Sequence, residues 1–172
     1  DVKLYFALGA AMHDTAIAVW DVKRHYDWVR PITAIRWLGQ HNLLPVRPGV
    51  VEWIDEGDPL AGPSGEYVGR QKIRGWRGPF AGVGWILPEQ WIPYQHPTFV
   101  TPPFPGYTSG HAAFGWSFKE VMADYTQDEF VPGGLMTWEV TELPFDAPPS
   151  APVVLQWATY QDIADDGGLG RL

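Results

Sequence analysis

The sequence predicts an all-α fold, a helical bundle wrapped by long ordered loops rich in Pro, Gly and Trp. Three observations predict it. Segments 3–29, 110–125 and 151–166 carry apolar residues at helical spacing. Between the first two, residues 44–107 contain Pro45, Pro48, Pro59, Pro63, Pro79, Pro88, Pro93 and Pro97, and each proline removes a backbone donor that a regular element needs. The same stretch holds Trp53, Trp76, Phe80, Trp85, Trp91, Tyr94 and Phe99, and so many aromatic rings imply a packed covering rather than a flexible linker.

In chain order, the first helix rests on Leu4, Ala7, Leu8, Ala11, Ala18 and Val22, which recur mostly at intervals of three, four and seven, with no Gly beyond Gly9 and no Pro before Pro31. Pro31 stops or kinks it, and Ile32–Leu38 has the composition of a second, short helix. Residues 44–107 follow as loop. Helical pattern resumes at Ser109 or Gly110 and runs to about Tyr125, with Ala113, Phe114, Trp116, Phe118, Val121 and Met122 forming its apolar face. Residues 126–149 return to turns and strand-like text. A third long helix is expected from Ala151 to Asp166, where Val154, Leu155, Ala158 and Ile163 fall near helical spacing and Gly167-Gly168 closes it. No internal repeat or low-complexity tract interrupts this plan, which fits one domain over 1–172.

Composition narrows the function. The chain has 172 residues, 45% of them hydrophobic, enough for a sizeable core. Its net charge of −8 argues against a nucleic-acid partner, because binding a phosphate backbone needs an excess of Lys and Arg on one surface. With no cysteine, disulfides and Cys-based zinc sites are excluded. No apolar run reaches the roughly 18–20 residues of a membrane span, and a signal peptide is not readable from this stretch.

The few cations are placed beside oxyanion chemistry. Pro102-Pro103-Phe104-Pro105-Gly106-Tyr107-Thr108-Ser109-Gly110-His111 brings a Ser-Gly-His triplet to a helix start, where a hydroxyl, free backbone N–H groups and an imidazole come together. The plain alternative is an N-cap Ser followed by an ordinary His. Lys23 and Arg30 are seven apart, so on one continuous helix they lie within about 20° of the same face and about 10 Å apart along the axis. They can converge on one ligand or form a solvated cationic edge. Arg171, in the closing Gly170-Arg171-Leu172, offers bidentate geometry suited to a tetrahedral anion. Gly62-Pro63-Ser64-Gly65-Glu66 imitates the triplet but puts Glu where His is required, and reads as a turn. His13-Asp14 is either a pair that orients the site or a hydrogen-bonded structural His. His25, His41 and His96 fit no ligand spacing, and the ten tryptophans read as packing.

In order, Lys23-(x6)-Arg30-Pro31, Thr108-Ser109-Gly110-His111 and Gly170-Arg171 resemble the signature of the vanadium-dependent haloperoxidases and the related type 2 phosphatidic acid phosphatase superfamily: K-x6-R-P, P-S-G-H and S-R-x5-H-x3-D. The surrounding text resembles the bacterial haloperoxidase-like branch. Thr108 stands where the pattern has Pro, Gly170 where it has Ser, and the sequence given stops one residue past Arg171. The resemblance implies a helical bundle of that family's kind, with this chain a partial domain truncated at both ends. It also implies that the vanadium-bonding His lies beyond Leu172, and that a complementary C-terminal segment or chain is a partner. Vanadate is the implied cofactor, with phosphate able to occupy the same site. Lys23, Arg30, Ser109, the Gly110 N–H and Arg171 would hold its oxygens. Lys23 would also polarise bound peroxide, and His111 would act as acid–base group. Hydrogen peroxide and halide are the implied substrates; a phosphomonoester hydrolase, or a non-catalytic oxyanion-binding piece, is the alternative. The family favours a secreted or periplasmic protein, and homo-oligomerisation stays open.

Overall fold

The computed structural model describes residues 1–170. In chain order its elements are α1 (Val2–Tyr26), α2 (Pro31–Gln40), β1 (Val51–Trp53), β2 (Gln71–Trp76), β3 (Val83–Ile86), a 3-10 turn (Pro88–Gln90), α3 (Gly110–Thr126), β4 (Met136–Val140), β5 (Val153–Trp157) and α4 (Tyr160–Leu169). They gather into two compact units. One comprises Asp1–Trp28, Phe104–Glu142 and the chain from Pro149 onward; the other comprises Val29–Pro103 and Leu143–Pro148.

The expected all-α class is thereby corrected, because the described residues form two small antiparallel sheets as well as helices. Two local expectations change with it. Within 44–107, β1, β2 and β3 occupy the gaps between prolines, and none of the three contains one. In 151–166, Val153-Val154-Leu155 belongs to a strand, and the helix begins only at Tyr160. A short apolar run can satisfy either period, and here β-branching decides it. The first helix also ends earlier than expected. Asp27 turns left-handed at φ 44° and donates its N–H to the Lys23 carbonyl, so Lys23 and Arg30 do not share one continuous helix.

In the first unit, α3 lies between two antiparallel neighbours. Thr15 of α1 donates to the Ser117 hydroxyl at 2.9 Å, while Trp20, farther along α1, packs on Gly110 at the opposite end of α3. On the other side, Phe118 meets Tyr160 edge-on at 6.1 Å between ring centres. Gly115 then faces Ala164, and Ala112 faces Gly168. A Cβ at Gly115 would stand 3.6 Å from the Ala164 backbone, an ordinary contact distance. Val19, Val131, Tyr160 and Ala164 are the unit's buried apolar residues. Beside them β4 and β5 make a two-stranded ribbon in which Met136, Trp138 and Val140 pair with Trp157, Leu155 and Val153.

In the second unit, Pro31 stands at the first position of α2, where its missing N–H costs nothing. The meander β1-β2-β3 aligns Val51, Ile73 and Ile86 across its three strands, and they form a core with Ile35, Leu44 and Trp91. Gln71 is almost wholly buried and satisfied: its amide both accepts from the Leu44 N–H (3.0 Å) and donates to the Leu44 carbonyl (2.7 Å). Asp146, in the returning segment Leu143–Pro148, accepts from the Trp76 indole at 2.9 Å and the Phe80 N–H at 2.8 Å.

Candidate functional site

Ser109 is the N-cap of α3, with extended backbone at φ −70°, ψ 118°. Its Oγ accepts from the Ala112 N–H at 3.3 Å, and the first helical backbone bond runs from Ala113 N–H to the Ser109 carbonyl at 3.2 Å. Among the described residues these bonds leave the Gly110 and His111 N–H groups unengaged, as the geometry of a helix start requires. Capping uses a lone pair of Ser109, and its hydroxyl hydrogen can still donate outward. The capping and anion-binding readings therefore coexist in one geometry. His111 is exposed on the first turn.

Lys23 is the exceptional cation of the first unit, only 3% exposed. A buried ammonium must be compensated by acceptors or it loses its charge. Its Nζ donates to the carbonyls of Pro105 at 2.9 Å and Gly106 at 3.2 Å and sits 5.3 Å from the centre of the Phe104 ring and 5.7 Å from Trp20. The Gly106 N–H donates in turn to the Trp28 carbonyl at 2.9 Å. Gly106 precedes Ser109 by three residues, which span at most about 10 Å. Lys23 and Ser109 are thus brought to one end of α3, and Trp20 closes the same corner, its ring 3.3 Å from where a Gly110 Cβ would stand.

The opposite neighbour brings its own end there. Gly168 faces Ala112, which sets the last turn of α4 against the first turn of α3, and Gly170, the C-cap, donates its N–H to the Asp166 carbonyl at 2.9 Å. Arg171 follows Gly170 in the sequence and lies outside the described residues. Arg30 belongs to the second unit, where it is the N-cap of α2 in extended conformation.

The remaining histidines have local roles. His13 and Asp14 form an exposed adjacent pair at 3.4 Å. His25 meets Tyr26 edge-on, His41 stacks on Trp37, and His96 bonds Thr98. Gly62 and Gly65 take positive φ, and Glu66 accepts from the Ser64 N–H at 3.0 Å, a turn as its sequence suggested. Among the described residues no group of His, Asp or Glu could hold a metal ion, and no helix is long and apolar enough to cross a membrane.

Trp20 and Phe104 are the site residues that sequence reasoning passed over. The signal was present for Trp20, since it lies three residues before Lys23 and therefore on the same helix face. Both rings also line an open depression of about 650 Å³ over Lys23. Asp21, Arg24 and Asp27 line it too, and Arg24 pairs with Asp21 at 3.2 Å.

This arrangement defines a mixed helix-and-sheet chain in which the ends of α1 and α4 lie beside the amide start of α3, with Lys23 near it. Its fold is similar to that of a bacterial vanadium-dependent chloroperoxidase in the apo-type crystal structure, with TM-score 0.67 and 19% identity over 96% of this chain and 29% of that one. The holo-type structure gives TM-score 0.67 and 20% identity over 96% of this chain and 28% of that one. The chain thus spans less than a third of the length of these relatives. No curated protein matches it. The family described as the VCPO second helical-bundle domain matches residues 3–172, and the chain belongs to it.

Proposed function

We propose that this chain supplies the oxyanion cradle of a vanadate-dependent haloperoxidase, which oxidises halide with hydrogen peroxide. The observation that carries the reading is the meeting, at the start of α3, of Lys23, the Ser109-Gly110-His111 turn and the end of α4 just before Arg171. The donor chemistry fits a tetrahedral oxyanion: a hydroxyl, helix-start amides and an ammonium, with guanidinium groups at Arg30 and Arg171 proposed to join them. Vanadate, when bound, supplies the Lewis acidity that activates hydrogen peroxide toward halide.

The chain's own residues then have separable tasks. The Gly110 N–H and the Ser109 hydroxyl orient oxygens by directed hydrogen bonds. Lys23 holds the Pro105-Gly106 approach in place and adds positive charge beside the anion. An imidazole nitrogen of His111 accepts the proton that hydrogen peroxide gives up, a task suited to the one side chain that titrates near neutrality.

The test uses the protein containing this chain. With vanadate, hydrogen peroxide and bromide it is expected to brominate a phenolic dye. His111→Ala should suppress turnover more than vanadate binding, because binding is shared among several donors while proton transfer is not. Arg30→Ala should show the opposite balance, since a charge-assisted contact is lost. Absence of halide oxidation, with phosphomonoester hydrolysis by the vanadate-free form, would replace this reading with the phosphatase one.

A further inference from the structure

The last turn of α4 is weak by composition. Gly167 and Gly168 stand inside the helix, and each costs about 1 kcal/mol relative to Ala. No cap side chain follows them, for the C-cap is Gly170. One side-chain bond ties this stretch to the ribbon: the Trp157 indole N–H donates to the Asp166 carboxylate at 2.7 Å. Asp166 also offers its main-chain carbonyl to the Gly170 N–H. The residue gripped by Trp157 is therefore the one that closes the helix. Trp157 itself is fixed, being the last residue of β5, paired with Met136 and half-buried.

We propose that Trp157 is a positioning residue for the oxyanion site: through Asp166 it holds the last turn of α4 against the first turn of α3. Gly168 faces Ala112 in that turn, a Cβ at Gly168 standing 4.0 Å from the Ala112 methyl, and Ala112 is one residue from His111 and two from Gly110. A frayed α4 end would free the first turn of α3 on that side. Trp157 touches no reacting group and acts only through Asp166. This inference rests on the functional reading above for its consequence in binding, and on the α3–α4 geometry alone for its consequence in local order.

Trp157→Phe keeps an aromatic ring and removes the donor. In the whole protein, amide hydrogen exchange at Gly168–Gly170 should accelerate about five- to tenfold, the worth of one ordinary hydrogen bond, while exchange in the centres of α1 and α3 stays as it was. Vanadate affinity, and that of inorganic phosphate as a second probe, should fall by a similar factor. Asp166→Asn retains an acceptor and should behave like the parent, whereas Asp166→Ala should reproduce Trp157→Phe. The Asp166 pair decides the matter even if Trp157→Phe does not fold. Unchanged exchange in Trp157→Phe, or Asp166→Asn as damaging as Asp166→Ala, overturns the proposal. If the parent protein binds neither anion while exchange responds as expected, the oxyanion reading fails and the brace between Trp157 and α4 stands.

Discussion

Asp146 shows how much one side chain can organise. Its carboxyl is held below the ordinary value of 3.8, first by the N–H groups of Ala147 and Phe80 and further by Trp76 and Tyr94, with burial opposing. A depressed carboxyl adds stability that is complete above its ordinary value and is lost as pH falls through the lowered one. Thermal unfolding followed by Trp fluorescence should therefore show the second unit weakening below about pH 4, and Asp146→Asn should flatten that dependence. Gly39 makes the complementary point about space. In an exposed helix Gly→Ala is stabilising by about 1 kcal/mol. At Gly39, however, a Cβ would stand 2.0 Å from the Pro88 ring, which cannot turn aside. Overpacking of this kind costs roughly 1–3 kcal/mol, so Gly39→Ala should lower the midpoint of chemical denaturation despite the better helix former.

At the scale of elements, α4 begins where its chemistry directs rather than where periodicity suggested. The Thr159 hydroxyl accepts from the Asp162 N–H at 3.1 Å, while the Asp162 carboxylate accepts from the Thr159 N–H at 2.8 Å. Thr159→Ala should cost about 1 kcal/mol, visible as a lower melting temperature, with faster amide exchange in the first turn of α4. The Thr-x-x-Asp pattern was legible in the sequence, and it outranks the coincidence of Val154, Leu155 and Ala158 at helical spacing. α1 and α3 were readable because each is a long periodic run with a recognisable stop or start. The three-stranded meander was not, because proline spacing says where strands cannot be and nothing about the strands of three to six residues that lie between the prolines. The Lys23 and Ser-Gly-His pieces of the site were readable as text. How Lys23 is anchored was not, since its Nζ is held by the Pro105 and Gly106 carbonyls, main-chain atoms that every sequence possesses.

At the scale of the whole molecule, an oxyanion bound only by the folded state must stabilise it. At a hundred times its dissociation constant the gain is about 2.7 kcal/mol, so vanadate and phosphate should each raise the melting temperature of the protein containing this chain. Arg30→Gln should shrink the rise. The direction of the helices adds a further expectation. Because α1 and α4 both run antiparallel to α3, the carbonyl ends of two helices flank the amide end of the third. Each helix carries a dipole equivalent to about half a charge at either end, so the negative ends of α1 and α4 offset the attraction that α3 alone would exert on an anion. Long-range attraction must then come from cationic side chains, which dissolved ions screen: the screening length falls from about 30 Å at 0.01 M salt to about 8 Å at 0.15 M. Vanadate affinity measured by titration calorimetry should accordingly decline steeply between those salt concentrations, and a flat response would mean that the helix start binds without them.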